Sequence, residues 1–286
     1  MAMSLPSANL DAFLAVAKTA GFTSAAKLMN ITQSALSQRI KILEDELGLT
    51  LFLRTSMGAS LTEHGERLLR YCQTRDSLEE ELIQDLSVST QLKIAGTIKI
   101  AAYSSVLRSV LIPALTPLLK KHPGILCEFI CAGMPELPGL LQRAEVDFIV
   151  MDYRLEKANL TSVEIGQEKY VAIESRKETE RKDIFLDNDH EDRATEKFMK
   201  AQGDKVHKYR RSYFDDCYGI IDGVALGLGR AVIPAHLVSK NSDIKVIRSS
   251  KPYTVDVVLH YYQQPFYSKL HQAVIECLTT EVRRYL

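Results

Sequence analysis

The chain has 286 residues, 46% of them hydrophobic and 25% charged, the balance of a globular protein with room for two or three domains. Its 36 basic and 36 acidic side chains cancel, which argues against a protein that grips nucleic acid by charge alone. No apolar run approaches a membrane span and no secretion signal opens the chain, so a soluble cytoplasmic protein is expected. The five cysteines, Cys72, Cys127, Cys131, Cys217 and Cys277, are odd in number and form no CxxC pair, which points to reduced thiols. Cys127, Cys131 and Cys217 are candidate redox sensors, although a buried cysteine is more often a small hydrophobe. The seven histidines show no ligand spacing, so neither a metal nor a cofactor is expected.

A first helix over Asn9–Thr19 offers Leu10, Phe13, Leu14 and Ala17 as a core face, and a second runs from Thr23 to Met29. After the turn at Asn30-Ile31, Thr32 is placed to cap a third helix that Gly48 ends. Leu36, Ile40, Leu43 and Leu47 fall at i, i+4, i+7 and i+11, one apolar stripe. Ser34, Ser37, Gln38 and Lys41 lie on the opposite face, with Gln33 at its start and Arg39 on the flank. Glutamine can read adenine bidentately and serine can donate to phosphate or a base edge, so this face suits the major groove. An ordinary amphipathic helix with a solvated face is the plainer alternative for this segment alone. The acidic run Glu44, Asp45, Glu46 would repel DNA and is expected where the helix leaves the groove. Leu51–Leu53 and Ala59–Leu61 read as two wing strands around a Ser56-Met57-Gly58 turn, with Arg54 placed for phosphate or the minor groove.

Thr62 caps a long helix expected to reach about Thr90, carrying Leu68, Leu69, Cys72, Leu78, Leu82, Ile83 and Leu86 on roughly one side. Gln91–Ala95 reads as a hinge. Strands at Thr97–Ala102, Ile125–Cys131 and Asp147–Met151 then alternate with helices at Ser105–Lys121 and Pro135–Arg143, the pattern of parallel βαβ units. A second set follows. Its strands are Val163–Glu174, Asp183–Leu186, Val206–Arg210 and Arg230–Ile233, and its helices Ala194–Ala201 and Tyr213–Leu226. Pro234 opens a further helix, Val255–Tyr262 is a late strand, and Tyr267–Tyr285 a terminal helix. Gly227–Gly229 lacks the third glycine of a nucleotide fingerprint and follows a helix, so it reads better as a helix end. There is no Walker A sequence and no nucleophile elbow, and an enzyme has no support beyond the βαβ pattern.

The constellation Phe13, Ser24, Ala25, Ala26, Leu28, Ser34, Ser37, Ile40, Leu43, Glu44, Leu47, Gly48, Leu51, Phe52, Arg54, Leu61, Thr62 and Gly65 resembles the winged helix-turn-helix of the LysR-type transcriptional regulators. Within that family, ITQSALSQRIKILE followed by LFLRT resembles the branch that answers to lysine and arginine. The later segments Gly96–Pro113, Arg143–Met151 and Val224–Leu237 resemble the family's regulatory domain. The resemblance implies an α/β chain with an N-terminal all-α winged helix-turn-helix, a long linker helix and a two-lobed periplasmic-binding-protein-like regulatory domain. The boundaries expected are 1–62 for the DNA-binding domain, 63–92 for the linker and 93–286 for the regulatory domain. Lobe I covers about 96–162 and 255–286 and lobe II about 163–254, with crossovers near Asp152–Val163 and Val246–Val255. The linker helix implies a homodimer, lobe contacts a homotetramer, and an imperfect inverted repeat in double-stranded DNA the target.

Clefts between lobes and strand carboxyl ends favour ligands. Ser104 and Ser105 open a helix there, and the resemblance gives a serine at this position an effector role; a plain cap is the alternative. Gly133 and Met134 follow the second strand. Asp187, Asp189, Asp215 and Asp216 are candidates for the ammonium or guanidinium of lysine or arginine, although loop aspartates also make turns. The expected function is a sequence-specific regulator with a small-molecule effector between its lobes. The alternative is a ligand-independent architectural or replication-associated DNA binder.

Overall fold

The computed structural model describes residues 5–55, 58–86, 94–157, 159–177, 180–203, 209–238, 243–249 and 251–286. Three helices form the head: α1 (Ser7–Thr19), α2 (Phe22–Leu28) and α3 (Gln33–Leu47). The stripe on α3 is the reason it docks: Leu36, Ile40 and Leu43 are fully buried against Leu10, Phe13 and Val16 of α1 and Ala25 and Ala26 of α2. Thr32 Oγ1 accepts the Ala35 N–H at 3.2 Å to start α3, and Gly48 ends it in the left-handed region at φ 65°. Strands β1 (Phe52–Thr55) and β2 (Gly58–Leu61) pair antiparallel as the wing. The Phe52 ring lies 5.2 Å from Phe13 and 5.9 Å from Phe22, tying wing to helices. Glu44 points back at the wing: its Oε1 accepts the N–H of Leu51 at 2.6 Å and of Phe52 at 3.3 Å. The first residue of the acidic run is therefore an acceptor for the strand entry, a role its charge alone did not announce.

Helix α4 (Glu63–Leu86) has 24 residues, about 36 Å at 1.5 Å per residue. Thr62 Oγ1 accepts the Gly65 N–H at 3.1 Å and caps it. Its apolar side divides into two parts. Leu68, Leu69 and Cys72 complete the core of the head, whereas Leu78, Leu82, Ile83 and Leu86 stand 38–69% exposed. Burial pushes the Cys72 thiol up to about 12. The middle of α4 also lies on the α/β unit: Gln73 donates to the Ala144 carbonyl, Gln142 donates to Glu66, and the Arg70 guanidinium stacks 3.8 Å over Tyr262. The wing tip at 56–57, the expected end of the long helix at Thr90 and most of the Gln91–Ala95 hinge lie outside the described residues.

The α/β unit begins at β3 (Ala95–Ala102). A helix follows from Ser104 to Lys121: α5 (Ser104–Val106), a π-helical turn at Leu107–Leu111, and α6 (Ile112–Lys121). Strand β4 (Gly124–Cys131), helix α7 (Leu137–Gln142) and strand β5 (Phe148–Met151) complete the parallel set, with β3 between β4 and β5. Then β6 runs unbroken for 16 residues, Leu160–Ser175. The second set is β7 (Ile184–Asp187), α8 (Ala194–Ala201), β8 (Arg210–Tyr213), α9 (Cys217–Ala225) and β9 (Ala231–Pro234), with a 3₁₀ turn at Ala235–Leu237. Strands β10 (Ile244–Ile247) and β11 (Tyr253–Tyr262) and helix α10 (Lys269–Glu281) close the chain.

The two sets share one plan. β3 is parallel to β4 and β5, and β5 is antiparallel to β11; β7 is parallel to β8 and bridges in parallel to Arg230, just before β9, which is antiparallel to β6. β6 pairs antiparallel with β11 over Leu160–Tyr170 and with β9 and β10 over Tyr170–Ser175, so these strands belong to both lobes. This differs from two purely parallel lobes joined by separate crossover segments: the crossover is the paired body of β6 and β11. The strand expected at Val206–Arg210 is found at Arg210–Tyr213, with 204–208 outside the described residues, and the helix expected from Tyr213 starts at Cys217, where Asp216 caps it. Pro234 opens only the short 3₁₀ turn, because β10 follows closely. Apolar clusters cover each lobe on both sheet faces, and no helix among the described residues is long and apolar enough to cross a membrane. Replacing Glu44 with Ala strands two N–H groups at the entry to the wing, and should lower stability by about 1–3 kcal/mol in urea unfolding; an unchanged midpoint would show that water serves those donors equally well.

Candidate functional site

Two regions carry polar groups that the core does not use. The first is the outer face of α3. Gln33, Ser34, Gln38 and Lys41 are exposed, Ser37 and Arg39 half-buried, and Thr32 is both cap and partner of Ser34 Oγ at 3.0 Å. One helix thus buries leucines and isoleucine on one side and offers amides, hydroxyls and a cation on the other. Arg54 lies in β1 opposite Ala59, and its side chain is outside the described residues.

The second region is the seam between the lobes, where the carboxyl ends of the parallel strands face each other. Tyr103 and Ser104 follow β3, Asp152 follows β5, Cys217 opens α9, and His236 follows β9. Ser104 Oγ lies 3.3 Å from Cys217 Sγ, and Arg108 stacks 4.0 Å over the Tyr218 ring, both contacts running from lobe I to lobe II. Glu168, fully buried on β6, accepts the Tyr103 hydroxyl at 2.9 Å and lies 2.8 Å from His236 Nε2. Ser109 Oγ meets His236 Nδ1 at 2.8 Å. Burial pushes the Asp152 carboxyl up, Lys197 pulls it back and Glu168 adds to the rise. Burial beside Glu168 also holds the Tyr103 and Tyr170 hydroxyls well above the usual range. A cavity of about 640 Å³, lined by Phe185, Phe198, Tyr209 and Arg230 among others, sits within lobe II and shares no lining residue with this seam.

Of the residues expected at the ligand, Ser104 stands in the seam, and Ser105 is buried behind it with its carbonyl accepting from Ser109. The Gly133 carbonyl accepts the N–H groups of Glu136 and Leu137 at the entry to α7, and Met134 packs against the lobe I cluster around Leu137. The aspartates have local duties. Asp187, 2% exposed, accepts from Arg211 Nε and from Thr195 Oγ1, an ion pair internal to lobe II. Asp189 accepts the N–H groups of Glu191 and Asp192, and these bonds with Asn188 outweigh burial and lower its carboxyl. Asp215 sits in the left-handed region at φ 53°, a turn geometry aspartate tolerates, and Asp216 caps α9 through Gly219 N–H at 2.8 Å. Three of these carboxylates thus have partners within lobe II: Asp187 in its ion pair, Asp189 in its loop and Asp216 at the start of α9.

Glu168, Tyr103, Ser109, His236 and Asp152 form the interlobe cluster that motif reading missed. No local signal marks them, since Glu168 and His236 are 68 residues apart in sequence. Burial pushes the Cys127 thiol up to about 12, Cys277 to about 11, and Cys217 upward, so these three are protonated at neutral pH. Replacing Asp187 with Ala leaves Arg211 without its partner. It should cost about 3 kcal/mol, the lower end for a broken buried pair because Arg211 keeps some solvent; denaturant unfolding that matches the parent would show that the pair is dispensable to the fold.

The head and the α/β unit each match a known family. Residues 8–66 match the model of the bacterial regulatory helix-turn-helix proteins of the lysR family, and residues 93–283 match the LysR substrate binding domain. The chain is 27% identical over 241 residues to the HTH-type transcriptional regulator YofA of Bacillus subtilis, covering 82% of this chain and 83% of that one. Alignments to other curated relatives are shorter, spanning 39% of the length of one and 55% of another. Among solved structures it is similar to ArgP of Mycobacterium tuberculosis, with a TM-score of 0.79 at 19% identity over 98% of both chains. It is also similar to full-length LysG of Corynebacterium glutamicum with its effector Arg bound, with a TM-score of 0.73 at 22% identity over 97% of this chain and 99% of that one. These relatives are named as transcriptional regulators. With its head and its two-lobed unit both matched, the chain belongs to the LysR family of bacterial transcriptional regulators.

Proposed function

We propose that the protein is a sequence-specific DNA-binding regulator whose activity answers to a small cationic effector, a basic amino acid, held between the two lobes. The observation that carries the DNA-binding half is α3 itself, whose buried stripe fixes its roll so that Gln33, Ser34, Gln38 and Lys41 face outward. Gln38 and Ser34 read base edges, while Lys41, Arg39 and Arg54 contact phosphate. The exposed leucines and isoleucine along the second half of α4 support a homodimer through that helix, which sets two recognition helices on an imperfect inverted repeat of double-stranded DNA. Contacts between lobes of neighbouring dimers then give a homotetramer.

For the effector, support comes from two acids at the seam, Glu168 and the half-buried Asp152, with Tyr103, Tyr170 and Tyr253 around them. Buried carboxylates beside aromatic rings favour an ammonium or guanidinium. Ser104 marks the place where the seam must part to admit the ligand, and Asp189 and Asp215 stand on the lobe II loops. Arginine is the effector bound in LysG, and it is the first ligand to try here. A second reading, ligand-independent DNA bending, is favoured by one observation: the seam's hydroxyls, histidine and Glu168 already bond one another.

The first of two measurements separates these readings, and the second tests the role of α3. Arginine or lysine at 100 times its dissociation constant should stabilise the native state by about 2.7 kcal/mol, a midpoint shift of about 5 °C for a chain of this length. No shift with either would remove the basic-amino-acid effector and strengthen the ligand-independent reading. Gln38→Ala should cost about 1–3 kcal/mol on the preferred duplex and relax preference at one base pair, measured on operators selected from random sequence. Equal losses on all duplexes would make Gln38 a backbone contact, and no loss would take α3 out of the groove.

A further inference from the structure

The two sheet faces of lobe II are covered unequally. On one, α9 and the 3₁₀ turn pack against Ile173, Leu186 and Ile233. On the other lies α8, only eight residues long, about 12 Å at 1.5 Å per residue. Its Phe198 packs with Ala172, Phe185 and Val232, and the helix ends before that face is covered. Beside it opens the cavity of about 640 Å³, a size that small-molecule sites commonly have. Ala172, Phe185, Phe198, Met199 and Ile247 form its apolar floor, and the first three are buried. The Tyr209 ring stands edge to face on Phe185 at 5.2 Å, and Phe198 meets Tyr253 in the same way at 6.3 Å.

The wall is held in place, and its charges do not balance. Gln202, just past α8, donates Nε2 to the Lys251 carbonyl at 2.8 Å and accepts the Lys251 N–H at 2.9 Å. This pair of bonds clips the helix end to the connection between β10 and β11. Two of the lining charges are already matched: Arg230 donates Nε and Nη2 to Glu174 at 2.9 and 2.7 Å, and Asp183 accepts from Arg210 Nε at 2.8 Å. Lys182 and Arg248, exposed at the rim, make no ion pair among the described residues. The hollow is therefore apolar and ring-lined, with two unmatched cations at its edge. A cationic guest meets repulsion there. A flat apolar body with one carboxylate gains burial against the rings and charge contact at the rim.

We propose that this cavity is a second small-molecule site, inside lobe II, that takes an aromatic carboxylate, its rings on Phe185, Phe198 and Tyr209 and its carboxylate toward Lys182 and Arg248. The site shares no lining residue with the seam, and it rests on neither the basic amino acid nor the DNA contacts assigned above. A ligand seated there touches β6 at Ala172, β7 at Phe185, α8 at Phe198 and the end of β10 at Ile247. It joins four elements of one lobe, so its binding stabilises lobe II against unfolding.

Equilibrium dialysis of the full chain against 2-naphthoate and biphenyl-4-carboxylate, with no DNA and no added amino acid, tests the site. The chain contains no tryptophan, so the ligands' own fluorescence reports the bound fraction without interference from indole. At least one of the two should bind saturably at one site per chain, and its neutral carboxamide about tenfold more weakly. Lys182→Gln together with Arg248→Gln removes both rim charges at exposed positions, where the fold does not depend on them. This double variant should weaken the carboxylate about tenfold and leave the carboxamide unchanged. Met199→Trp fills the hollow from a half-buried position and should abolish binding of both. Failure of both carboxylates to saturate, equal affinity for acid and amide, parent-like binding in the rim variant, or undiminished binding in Met199→Trp would each overturn the proposal.

Discussion

The antiparallel pair of β6 and β11 is the constraint on which the arrangement of the regulatory unit depends. A strand of 16 residues, Leu160–Ser175, pairs with β11 at one end and with β9 and β10 at the other. Each lobe completes its sheet with a part of the same strand, so the lobes cannot separate without bending or breaking that ladder. Glu168, carried on that shared strand, is met by Tyr103 from one lobe and His236 from the other. A polar cluster so placed reads lobe position directly, which is what an effector-responsive protein requires.

The head is coupled to this unit by one helix with two kinds of surface. The start of α4 supplies Leu68, Leu69 and Cys72 to the core of the head, so the first half of the helix moves with α1–α3 as one body. Its contacts with lobe I include polar and stacked ones, Gln73 on Ala144, Glu66 on Gln142, Thr74 on Gln264 at 2.8 Å and Arg70 on Tyr262, beside the apolar packing of Ala144 on the head cluster. The polar ones are individually weak and exchange readily with water.

Local pattern made part of this legible. The α3 stripe, the Thr32 and Thr62 caps and the Gly48 stop depend on interactions within a few residues, and each has the role its spacing implied. The alternation of strands and helices was readable for the same reason. The acids were not. Asp187 carries the same chemistry as a ligand-binding carboxylate, and only the approach of Arg211 and Thr195 shows its charge to be spoken for. Glu168 stands among Gln167, Lys169 and Tyr170 in a stretch legible only as a strand, Val163–Glu174, yet it is fully buried.

The sequence by itself determined the head, the long helix, the βαβ order and the family, because helical and strand periods, caps and turn residues act over short distances. The tertiary structure alone decided that β6 and β11 serve both lobes, that Asp187 is spent on Arg211, and that Glu168 meets Tyr103 and His236. The last of these joins residues 65 and 68 positions apart. Burial and hydrogen-bond partners at such separations are set by how whole sheets pack, a property that no short window of side chains contains.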